Sequence, residues 1–126
     1  MNLSIDTIKG ILATNDAAVE RAIVILFSRQ TTQEVGHGIT QEPNGKGFSR
    51  YTAARGTKCA KWILGLTEGT SPADAGRAAM LFLVSTHRGR PLTGWHLEQA
   101  RKIANVHARQ ILEVALLKQS AIKQAA

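Results

Sequence analysis

Tyr51, Arg55, Lys58 and Trp62 follow one another at intervals of four, three and four residues. If the stretch is helical, about 100° of rotation per residue gathers them into one stripe, and Arg50 and Lys61 widen it to a sector of about 140°. Cations in this pattern neutralise phosphates, and flat rings among them stack on exposed bases for about 1–3 kcal/mol each. The opposite side carries Ala53, Gly56, Ala60, Ile63 and Leu64, which suits close packing on a core. The pattern fits a nucleic-acid-binding face. It equally fits a solvated Lys/Arg face with Tyr51 and Trp62 tucked under neighbouring elements.

A second basic cluster, His87-Arg88-Gly89-Arg90, joins two helical stretches, so Pro72 to Arg109 reads helix, turn, helix. That outline admits a major-groove reader with His96, Gln99, Arg101 and Lys102 on the leading face of the last helix. Any antiparallel helix pair has the same outline. Glu98 precedes Lys102 by four residues and Arg109 precedes Glu113 by four, which predicts local ion pairs on an exposed face.

Other chemistries find few residues. His37, His87, His96 and His107 include no pair at metal-ligand spacing, so no metal or cofactor is expected. His107 projects from an apolar face and reads as a hydrogen-bonded core residue. Cys59 has no partner base and reads as buried and inert. The carboxylates are scattered, without a catalytic pair, and the glycine loops match neither a Walker loop nor a dinucleotide fingerprint. A non-enzymatic role is expected.

The charge is uneven. The chain carries a net +7 over 126 residues, with no acidic residue and five basic ones between Pro43 and Thr67. Such asymmetry makes a local positive field that attracts polyanions. The single cysteine permits no internal disulfide, and the longest apolar run, Ala22 to Phe27, is too short to cross a bilayer. The start, Met1 to Asp6, lacks the pattern of a secretory signal. A cytoplasmic protein without a membrane partner is expected.

The elements that must position these residues are helices. The length suits one domain over 1–126. The sequence predicts an all-α fold of four or five helices: Ser4 to about Leu12, Asp16 towards Glu34, about Arg50 to Leu66, Pro72 to about Thr86, and a long last helix from Thr93 to Lys118 or beyond, with 119–126 frayed. Ser4, Ser71 and Thr93 are the expected caps. The second and fourth helices are expected to supply most of the core, and Asn44-Gly45 marks a turn that Phe48 anchors.

Arg29-Gln30-Thr31 to Glu34, Asn44 to Ser49, and Leu92-Thr93 to Ile103 together resemble a pattern of small phage- or plasmid-borne helical proteins of unsettled function. The resemblance spans about Ala17 to Val114. It implies a mobile-element setting and assigns no residue a role.

These readings converge on a small basic protein that binds DNA or RNA, single- or double-stranded, through Arg50, Tyr51, Arg55, Lys58, Lys61, Trp62, Arg88, Arg90 and Lys102. A rival reading is an adaptor or inhibitor docking on an acidic host protein, with Trp62 or Tyr51 as its anchor. Leu112, Leu116 and Leu117 would also allow homo-oligomerisation through the last helix.

Overall fold

The computed structural model describes residues 3–37, 47–49, 51–67, 69–85 and 89–125, with the backbone alone for 31–37 and 119–125. Among these residues there are six helices and no strand, as an all-α fold requires. They are α1 (Ile5–Thr14), α2 (Asp16–His37), α3 (Ala53–Leu64), α4 (Pro72–Val84), α5 (Gly94–Val106) and α6 (Ala108–Ala125).

Local chemistry sets three of the six helix starts. The Ser4 hydroxyl accepts the Thr7 N–H at 3.2 Å, Asn15 Oδ1 accepts the Ala18 N–H at 3.0 Å, and Ser71 accepts the Asp74 N–H at 3.2 Å. Each satisfies a backbone donor that the first turn of a helix leaves open. Thr93 precedes α5 in extended conformation, but its side chain makes no capping bond. α3 ends on Gly65, whose φ of 69° suits glycine. There the Leu66 N–H reaches the Lys61 carbonyl and the Gly65 N–H reaches that of Trp62, closing the helix end.

The expected count of four or five helices and the single long last helix are corrected at His107. The His107 N–H is shared between the carbonyls of Ile103 and Ala104, and its backbone leaves the helical path at φ −99°, ψ 23°. Its own carbonyl then accepts from Gln110 and Ile111 and starts α6. The apolar period runs through this break unchanged, so the pattern alone reads as one helix.

α2 is the axis of the fold and packs on every other helix. Its Val19, Ala22, Ile23, Val24, Leu26 and Phe27 are all buried, and a fully buried side chain of the larger kinds contributes about 1.5–3 kcal/mol. α4 contributes less than its composition suggests. Ala75 and Ala79 are buried and Phe82 and Leu83 pack against the core, but Met80, Leu81 and Val84 are exposed. Ala100, Ile103, Ala104, Ala108 and Ile111 close the core from α5 and α6. No helix is long and apolar enough to cross a membrane among the described residues.

Candidate nucleic-acid interface

α3 and α5 lie side by side and run antiparallel. At one end Trp62 of α3 meets the segment before α5: the indole Nε1–H donates to the Pro91 carbonyl at 3.1 Å. In the middle an Arg55 guanidinium N–H donates to Gln99 Oε1 at 2.8 Å. At the other end the Thr52 hydroxyl and His107 Nε2 are 3.1 Å apart. The His107 imidazole is half-buried, and burial holds its pKa below the usual 6.5, which favours the neutral ring that fits this partner.

The residues before α3 are pinned from three directions. Phe48 is buried with its ring directly over Gly56, where a Cβ would come within 2.4 Å of the ring. The Gln110 side-chain amide grips both backbone groups of Gly47, accepting its N–H at 2.7 Å and donating to its carbonyl at 2.8 Å. Gly47 has φ of 86° and lies against Gln30, so a side chain there would be strained and would collide. The stretches that carried the resemblance to phage and plasmid proteins thus meet in part: Gln30, Gly47 and Phe48 form one anchor for the start of α3.

The far end is held by a buried carboxylate. Glu20 on α2 is 0% exposed, and its Oε2 accepts the Leu92 N–H at 2.9 Å. A buried carboxyl is costly unless it is hydrogen-bonded, so this contact fixes where the chain enters α5. Gly89 packs against the end of α3, the Arg90 N–H reaches the Ile63 carbonyl at 3.0 Å, and Arg90 Nε reaches that of Trp62 at 2.7 Å. These carbonyls carry the negative end of the helix dipole, which favours a guanidinium there.

This scaffold sorts the sequence candidates. Arg55, Lys58 and Trp62 form an exposed stripe on α3, with Trp62 50% exposed, and Tyr51, in the turn just before the helix, is 91% exposed. The Arg90 guanidinium lies over the Trp62 ring, 4.1 Å from its centroid. Lys102 is exposed on α5, three residues past Gln99. Lys61 is the outlier: it is half-buried and lies about 100° round α3 from Trp62 on the flank away from α5, at 100° per residue. Arg50 and Arg88 lie outside the described residues.

The sequence reading missed Trp95. It is 58% exposed, the Arg55 guanidinium lies 4.9 Å above its ring centroid, and His96 meets it edge-on at 5.3 Å. The available signal was its register: Trp95, Gln99, Lys102 and Val106 share one helical stripe, opposite the apolar face of α5.

The major-groove arrangement is not built. α4 and α5 make no contact with each other, although each packs on α2. Arg101 is fixed by the Leu12 carbonyl and by the carboxylates of Asp16 and Glu98. Nor do the expected pairs form, since Glu98 takes Arg101 in place of Lys102 and Glu113 takes Arg29 in place of Arg109. The carboxylates of Asp16, Asp74, Glu98 and Glu113 are thus each matched to an arginine away from Arg55, Lys58, Arg90 and Lys102. These four cations pair with no carboxylate among the described residues.

Other chemistry stays thin. Cys59 is buried, which pushes its thiol pKa up and away from reactivity, although Arg55 pulls it the other way. Among the described residues no group of three or more His, Cys, Asp or Glu stands together as a metal site would require. No family model, curated protein or solved structure matches the chain.

Proposed function

We propose that this protein is a small, non-enzymatic nucleic-acid-binding accessory protein of the cytoplasm, in a phage or plasmid setting. Its α3–α5 face holds the phosphate backbone. Arg55, Lys58, Arg90 and Lys102 neutralise phosphates, and Lys61 takes a peripheral place; Arg50 and Arg88, the other expected cations, lie outside the described residues. The observation that carries the reading is that these four cations stand among three exposed rings, Tyr51, Trp62 and Trp95, and share no carboxylate among the described residues.

Affinity for a labelled oligonucleotide, measured across salt concentrations, tests it. Three or four phosphate contacts give a log–log slope of roughly −2 to −4 as counterions are released. Absence of binding at low salt, or binding indifferent to salt, contradicts the proposal.

A second reading, a protein partner, has its own support. Trp, Tyr and Arg dominate protein-interface hot spots, and Met80, Leu81 and Val84 leave an apolar strip on α4. An acidic host protein would then mate with the α3–α5 face. Leu116 and Leu117 are exposed on α6 and would serve self-association in either case. The salt titration separates the two readings, since an adaptor has no need to hold the oligonucleotide.

A further inference from the structure

We infer that the α3–α5 face is built for single-stranded nucleic acid, with Trp62 and Trp95 as stacking platforms for unpaired bases. The inference rests on the nucleic-acid reading and narrows it to a strand state.

Both indoles are exposed by about half, at 50% and 58%, and each has a guanidinium against its ring, at 4.1 Å for Arg90 and 4.9 Å for Arg55. A ring in that position is already oriented. Trp62 is also fixed at its edge by the bond to Pro91, and Arg55 is fixed by Gln99. Binding therefore orders little that is not ordered beforehand. A guanidinium over a ring keeps N–H groups at its rim, where a phosphate can accept them while a base covers the indole. The two ring–cation pairs repeat along the face: Arg55 and Trp62 are seven residues apart on α3, or about 10 Å along the axis.

Base faces are what these rings recognise, and a duplex conceals its base faces within the stack. A duplex is open to this surface only through its phosphates. Groove reading would need a helix that projects with its side chains free. Instead α3 and α5 lie together, Gln99 is taken up by Arg55, and Arg101 is tied to α1 and α2.

The test compares the full chain, Trp95→Ala and Trp95→Phe for binding to one labelled single strand and to the duplex made from it, in the same low-salt buffer. The single strand is expected to bind at least several-fold more tightly than the duplex and to quench tryptophan fluorescence. Trp95→Ala is expected to weaken single-strand binding roughly 10-fold, weaken duplex binding far less, and be rescued in large part by Trp95→Phe. Equal affinity for both forms, with Trp95→Ala without effect on either, overturns the single-strand inference and leaves the phosphate-binding reading standing. No binding of either form overturns both.

Discussion

Reversing Lys58 and Lys102 together to glutamate is expected to lower nucleic-acid affinity roughly 100-fold with the melting temperature unchanged. A phosphate held near an exposed cation gains about 1 kcal/mol by Coulomb attraction in water, and reversal turns that into a repulsion of similar size. Two reversals therefore amount to about 4 kcal/mol before screening, and salt reduces this to the stated factor. Both side chains are exposed and make no hydrogen bond or ion pair among the described residues, so the fold loses nothing. Fluorescence anisotropy and thermal melting on the same preparation check the two halves. A folded double variant with unchanged affinity would place the binding surface elsewhere.

Gly89→Ala is expected to destabilise the protein by about 1–3 kcal/mol, a fall in melting temperature of roughly 5–15 °C. A Cβ at Gly89 would lie 2.4 Å from the Ile63 carbonyl oxygen and 2.8 Å from the Ile63 side chain. The first of these is backbone and cannot rotate aside. The segment must lift from the end of α3, taking with it the Arg90 bonds to Ile63 and Trp62. Binding should weaken with stability, because Arg90 leaves its place over Trp62. Gly10 in α1 is the internal contrast: a Cβ there meets nothing within 4 Å. Gly10→Ala should stabilise by about 0.4–1 kcal/mol, through helix propensity and a less flexible unfolded chain. Equal melting temperatures for the two alanine variants would contradict this account of Gly89.

Much of the fold is legible in the sequence, for physical reasons. The caps at Ser4 and Ser71 are local chemistry and need only a few neighbouring residues. The burial of α2 follows from apolar residues all round it. The break at His107 is not legible, because a tertiary bond to Thr52 and a shared N–H interrupt a pattern whose period never falters. The exposure of Met80, Leu81 and Val84 is hidden for a related reason: an apolar helix centre signals a preference for burial and does not show how much neighbouring surface is there to cover it. On the face itself, Arg55, Lys58 and Trp62 are readable from their spacing on one helix, whereas Tyr51 falls in the turn before it. Trp95 was not grouped with them because its link to Arg55 crosses between helices. The ion-pair assignments failed likewise: Glu98 lies within reach of both Arg101 and Lys102, and packing against α1 and α2 decides between them.

Binding of this kind requires α3 and α5 to present one face, and amide chemical-shift mapping tests that most directly. Nitrogen-15-labelled protein is titrated with an unlabelled oligonucleotide at low salt. The largest shifts are predicted at Arg55, Lys58, Trp62, Arg90, Trp95 and Lys102. The two tryptophans of the chain give two indole N–H signals, and both should move. Shifts concentrated on α4 and α6, with α3, α5 and both indole signals unmoved, would contradict it.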